Sequence, residues 1–192
     1  MHPFRAFISA YTPLSEADWQ AIEACITRRD VPPGTLLLES GQVCRSLYFL
    51  ERGLLRFFVW KDGEDVTKFF TDAPYTLTAQ QSFTSELPAR ENIEALEDCV
   101  LWEMPHADAF ALLRIEAWST FIRKLIQEVQ GLLEAILEDF QTRTAEERYR
   151  GLLDHEPELL LRVPLRHLAS YLGIAPQSLS RIRRQMLSPH RS

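Results

Sequence analysis

Val163-Pro-Leu-Arg-His-Leu-Ala-Ser-Tyr-Leu-Gly-Ile-Ala-Pro-Gln-Ser-Leu-Ser-Arg-Ile-Arg-Arg184 reads as two short helices meeting at a tight turn. Two helices crossing at about 90–120° need a small residue where they approach and a turn residue between them. Ala169 supplies the first, and Gly173 supplies the left-handed conformation that ends a helix. Leu168, Leu172, Ile174, Leu179 and Ile182 are spaced to fill the shared core. Pro176 suits the first turn of the second helix, where its missing N–H costs nothing. That helix, expected over residues 176–186, leaves Gln177, Ser178, Ser180, Arg181, Arg183 and Arg184 off the apolar face. In a DNA major groove Gln can pair with adenine and Arg with guanine, while Ser and further Arg reach phosphates.

The charge distribution points the same way. All 27 acidic residues and 15 of the 21 basic ones precede Arg162, leaving residues 1–161 at −12 and the tail at +6. Screening confines electrostatics to roughly 10 Å, so the local field governs contact with a phosphate backbone, not the overall −6. Double-stranded DNA is therefore the expected partner. The composition, 46% apolar and 25% charged, is that of a folded globular chain. No run approaches the roughly 18 apolar residues of a membrane span, and Met1-His-Pro-Phe-Arg-Ala-Phe lacks the pattern of a signal peptide. A cytoplasmic protein with no membrane partner is expected. Cys25, Cys44 and Cys99 form no CxxC pair and read as reduced thiols.

Upstream of the basic tail, Ser15-x-x-Asp18 caps an expected helix over residues 15–28. From Val31 short apolar runs alternate with Gly: Leu36-Leu37-Leu38, Leu47-Tyr48-Phe49-Leu50, residues 54–60, 93–96 and 100–104. Asp62-Gly63 between two of them is a hairpin signal. A small β sandwich or barrel over residues 31–104 follows. Pro105 opens a helical stretch, and a longer helix spans residues 116–141. Its stripe Trp118, Phe121, Leu125, Val129, Leu132, Ile136 and Phe140 fits packing along a partner helix, so these residues are expected to form a homodimer seam. Thr144-Ala-Glu-Glu147 is a capping box, and Pro157 and Pro164 open further helices.

A barrel, a long striped helix and a C-terminal helix-turn-helix together resemble the Crp/Fnr superfamily of bacterial transcription regulators. The likeness is sharpest in the residues quoted first and is also visible at Leu47-Tyr-Phe-Leu-Glu-Arg-Gly53. It implies an α+β fold: a double-stranded β-helix or jelly roll of the cyclic-nucleotide-binding type at 1–115, a dimerisation helix at 116–141 and a helix-turn-helix DNA-binding domain at 142–192. It also implies a homodimer on a two-fold symmetric operator. By position, Pro176, Gln177 and Arg181 fall where the family contacts base edges, with Ser178 and Ser180 nearby and Ser178 toward phosphate.

The family's cyclic-nucleotide binders carry a Gly-Glu pair, then an Arg followed by Ser or Thr. Here the matching stretch is Thr76-Leu-Thr-Ala-Gln-Gln-Ser-Phe-Thr-Ser-Glu-Leu-Pro-Ala-Arg-Glu-Asn92, with no Gly-Glu and with Glu91 after Arg90. A carboxylate beside the only arginine repels a phosphate. Gln80, Gln81, Ser82 and Arg90 remain as effector-pocket candidates for an unidentified small molecule, and no cyclic AMP binding is expected. Three scattered cysteines are too few for an iron–sulfur cluster, and no cofactor is expected. His2, His106, His155, His167 and His190 all lie outside residues 31–104, which removes the usual metal site of catalytic barrels; no enzyme activity is expected. Beyond the second helix only residues 187–192 follow, too few for a wing hairpin. A second reading, a ligand sensor whose helix-turn-helix contacts protein, predicts DNA affinity insensitive to salt.

Overall fold

The computed structural model describes residues 1–187, so Arg191, His190 and the rest of residues 188–192 lie outside the described residues. The chain forms two compact units: residues 1–57 with 70–132, and residues 58–69 with 133–192. Compactness thus divides the long helix and assigns hairpin residues 58–69 to the C-terminal unit. Among the described residues no helix is long and apolar enough to cross a membrane.

The first unit opens with a helix that sequence reading passed over, α1 (Pro3–Tyr11). His2 caps it by accepting the Phe4 N–H at Nδ1, and Pro3 sits in the first turn. Ser15 caps α2 (Glu16–Glu23) as its spacing to Asp18 predicts. That helix stops well short of residue 28. Residues 27–31 are instead β1 (Thr27–Val31), paired antiparallel with β8 (Cys99–Pro105) from Thr27↔Glu103 to Val31↔Cys99. Five ladder pairs outweigh the weak helical preference of Thr27-Arg28-Arg29.

The remaining strands are β2 (Leu36–Leu38), β3 (Ser46–Arg52), β4 (Leu54–Lys61), β5 (Glu64–Asp72), β6 (Tyr75–Leu77) and β7 (Asn92–Ala95). They form two four-stranded sheets, ordered β1-β8-β3-β6 and β2-β7-β4-β5, the jelly-roll layout expected. Leu50, Leu54, Leu55, Ile93 and Leu101 fill its interior. Gly53 is required between β3 and β4: its φ is +109°, and a Cβ there would lie 2.5 Å from the Cys99 Sγ and 2.9 Å from the Cys99 Cα. After α3 (Gln80–Ser85) and α4 (His106–Ala111) comes α5 (Glu116–Thr142).

The beginning of α5 corrects the expected seam. Trp118 and Phe121 are 0% exposed and Leu125 is buried with them. Phe4 stacks on Phe49 at 4.6 Å, Trp118 and Phe121 meet tilted at 5.5 Å, and both lie edge-on to Phe4 at 6.2 Å. The Trp118 indole N–H donates to the Ala109 carbonyl at 3.0 Å. These three residues are core of their own unit and are not available to a second copy. The periodicity was shared by two faces, and α1 covers one of them. Tyr11 donates to Glu128 at 2.7 Å, fastening the end of α1 to α5.

In the second unit, Asp62 (φ +53°) and Gly63 (φ +85°) make the turn between β4 and β5 with both central residues left-handed, as the Asp-Gly signal predicts. The helices are the end of α5, then α6 (Ala145–His155), α7 (Pro157–Arg162), α8 (Leu165–Tyr171) and α9 (Pro176–Leu187). The Thr144 capping box closes reciprocally: Glu147 N–H bonds the Thr144 hydroxyl, and the Glu147 carboxylate accepts from the Thr144 N–H at 2.8 Å. Those bonds, backbone first, hold the Glu147 carboxyl below the ordinary carboxylate range.

Candidate nucleic-acid interface

The turn joining α8 to α9 is built as its residues require. Gly173 has φ +69°, its N–H bonds the Ser170 carbonyl at 3.0 Å, and the Ile174 N–H bonds the Ala169 carbonyl at 3.0 Å. This pair of bonds is a Schellman closure, satisfying carbonyls that a helix end leaves open. Leu168, Ala169, Leu172 and Leu179 are fully buried between the helices, and Ile174 and Ile182 are half-buried at the edge of that core.

With Leu179 turned inward, Gln177, Arg181 and Arg184 share the outer face of α9 at i, i+4 and i+7, and all three are exposed. Pro176 is exposed at the start of the helix, and Ser178 and Ser180 are half-buried beside the stripe. Arg181 has no side-chain hydrogen bond or ion pair among the described residues. Two exposed donors one turn apart, Gln177 and Arg181, match the reach of side chains that read adjacent base edges.

Arg183 corrects the expected set. Its Nε donates to the Tyr149 hydroxyl at 2.9 Å and its guanidinium lies 5.8 Å from the Tyr149 ring centre, while Tyr149 itself is buried in α6. The side chain staples α9 to α6 rather than facing outward. Helical spacing places residue 183 on the flank, where a long side chain can turn either way, so the residue type alone does not decide. Arg166 on α8 is a further exposed cation; its Nε donates to His167 Nε2 at 3.1 Å.

Two further features had no signal in the sequence. The Ser170 hydroxyl accepts the Thr67 N–H at 2.9 Å and donates to the Asp65 carbonyl at 3.1 Å, binding hairpin β4–β5 to α8. Buried His167 places Nδ1 3.8 Å from the Asp65 carboxylate. Phe140 at the end of α5 lies under the Arg148 guanidinium at 4.3 Å and edge-on to Tyr171 at 6.4 Å. Phe140 thus has neighbours within this unit and is still 42% exposed. Burial, with the Glu156 and Asp139 carboxylates adding to it, pushes the Tyr171 phenol up.

In the barrel unit the effector-pocket candidates differ in burial and in partners. The Ser82 hydroxyl is spent: it donates to the Leu87 carbonyl at 2.5 Å and accepts the Cys44 N–H at 2.9 Å. Gln80, Gln81 and Arg90 are exposed. The buried cation of this unit is Arg56 on β4, 2% exposed, whose Nε and Nη2 donate to Glu94 at 3.1 and 2.7 Å. Nothing in the apolar run around Arg56 marks it as an inward charge, because its partner lies 38 residues away.

Residues 28–116, the stretch that holds the barrel strands, match the model of the cyclic nucleotide-binding domain. The fold is similar to those of several solved regulators, one of them of the Crp/Fnr family. A protein from Eubacterium rectale assigned as a transcriptional regulator of that family superposes with a TM-score of 0.74 at 18% identity, covering 92% of this chain and 87% of the other. FixK2 from Bradyrhizobium japonicum gives 0.70 at 19% identity over 84% of each chain. The catabolite activator protein of Thermus thermophilus gives 0.56 at 22%, covering 93% of this chain and 90% of its own. No curated protein matches the chain by sequence.

Proposed function

We propose that this protein is a transcription regulator that reads double-stranded DNA as a homodimer and is not an enzyme. The observation that carries the reading is the exposed stripe Gln177, Arg181 and Arg184 on α9, inside a segment without a single carboxylate. Gln177 and Arg181 contact base edges, Pro176 packs at the groove entrance, and Ser178, Ser180 and Arg184 meet phosphate. Arg183 acts indirectly, holding α9 through Tyr149. In this reading residues 142–192 are the DNA-binding segment.

The dimer seam of this proposal is rotated from the stripe of the sequence reading. Ile122, Ile126, Val129, Leu133 and Ile136 alternate at four and three residues along α5 and are half-buried or exposed in the single chain. Leu132 and Leu137 flank them and are exposed. In this reading the homodimer offers one α9 helix to each half of a two-fold site, and such half-sites lie about 34–36 Å apart.

Selection of bound duplexes from a random pool by the full chain tests the function. An enriched two-fold sequence whose affinity falls steeply with salt is expected, and salt-insensitive binding would overturn it. On that sequence Arg181→Ala is expected to cost about 1–3 kcal/mol and to relax preference at one position per half-site, read by mobility shift. Arg184→Ala should weaken all sequences alike. An Arg181→Ala chain with unchanged affinity and preference removes that residue from the reading set.

The barrel is a degenerate effector domain. The committed Ser82 hydroxyl and the outward Gln80, Gln81 and Arg90 support this reading. Calorimetry with cyclic AMP is expected to show no saturable binding at micromolar ligand. A saturable isotherm there would restore the nucleotide pocket.

A further inference from the structure

We infer that Arg148 is a positioning residue which locks the reading helices to the end of the dimer helix, an inference that rests on the DNA-reading function proposed above. Arg148 lies in the first turn of α6, yet its donors leave that helix in two directions. Nη1 donates to the Arg143 carbonyl at 2.7 Å, just past the end of α5, and Nη2 donates to the Leu172 carbonyl at 2.7 Å, the C-cap of α8. Both acceptors sit at helix C-termini, where carbonyls lack intrahelical partners and partial negative charge collects. A planar guanidinium can hold two such acceptors at once in one fixed geometry, and a lysine cannot.

The surroundings reserve Arg148 for this task. Glu147, the neighbouring carboxylate, is engaged by Thr144, and Glu146 pairs with Arg150 at 3.2 Å. The Phe140 ring lies 4.3 Å beneath the Arg148 guanidinium and meets Tyr171 edge-on. A Cβ on Gly173 would come 3.9 Å from the Phe140 ring, so the α8–α9 turn itself rests near that ring. One side chain therefore joins the end of α5, the start of α6 and the turn that launches α9.

A two-fold site is read by two α9 helices at a fixed separation, and that separation is set by the joint between α5 and α8–α9. A slack joint leaves each copy able to grip a half-site but removes the preference for one spacing. The test uses full-length wild-type and Arg148→Lys chains on the duplex that the wild type selects from a random pool. Companion duplexes carry one or two base pairs inserted between the half-sites. For the wild type, insertion is expected to lower affinity roughly 100-fold, the usual gain from simultaneous engagement of two sites. For Arg148→Lys the same duplexes should differ by less than about 3-fold, with affinity for an isolated half-site kept. Arg148→Gln, which keeps a hydrogen-bonding stem without the charge, should behave alike. If Arg148→Gln proves misfolded by circular dichroism, Arg148→Lys alone decides. A variant that is weaker overall but keeps the wild-type spacing discrimination overturns the inference and leaves Arg148 as a packing residue. A wild-type chain that selects no two-fold sequence overturns the DNA-reading proposal, and this inference with it.

Discussion

Trp118→Ala is expected to lower the free energy of unfolding by about 3–5 kcal/mol, read as a shift of the urea midpoint at unchanged slope. Trp118 is 0% exposed and sits where α1, β3 and α5 share one aromatic core with Phe4, Phe49 and Phe121. Removing the indole leaves a cavity among rigid rings that cannot collapse into it, so the transfer loss and the cavity term add. It also strips the Ala109 carbonyl of the 3.0 Å bond it accepts from Nε1. The contrasting result is informative. A variant of native stability that merely dissociates would return Trp118 to a subunit interface and undo the assignment of this face to the core.

Leu133→Glu combined with Leu137→Glu is expected to give the reverse pattern: a folded chain that no longer dimerises. The two side chains are 48% and 58% exposed in the single chain, so their replacement removes little intrachain packing. In a dimer they would face their counterparts, and four carboxylates forced into an apolar seam would be desolvated without partners. Sedimentation equilibrium should show monomer at concentrations where the wild type is dimeric. Affinity for the selected duplex should fall roughly 100-fold as bivalent engagement is lost. A doubly substituted chain that sediments as a dimer would place the seam elsewhere.

What could be read from the sequence was local. The Thr144–Glu147 cap, the Asp62-Gly63 turn and the Ala169–Gly173 corner each follow from the conformational needs of a few neighbouring residues, and each is present. Strands at 36–38, 47–50 and 54–60 were legible because Gly and alternating apolar runs bound them. The failures were all questions of which neighbour a side chain meets. A 3.5-residue repeat on α5 says that a stripe is apolar, not whether α1 or a second copy covers it, and Pro3–Tyr11 was not recognised as the cover. Arg183 and Arg181 differ by two positions on a basic helix, and only the buried Tyr149 tells them apart. Helix α2 lost its last turn to a β ladder with residues 99–103, about seventy positions onward.

The Ser170 contact with hairpin residues 65 and 67 decides where this chain can be cut and rejoined. The C-terminal unit is not one stretch of chain, since residues 58–69 pack with it. A chimera that grafts residues 142–192 onto a foreign barrel carries Ser170 and His167 but leaves Asp65 and Thr67 behind. The transplanted helices would then face a hairpin they were never fitted to. Inheritance of the C-terminal unit is thus tied to a dozen residues encoded far upstream, and shuffling at the long helix alone transfers an incomplete unit.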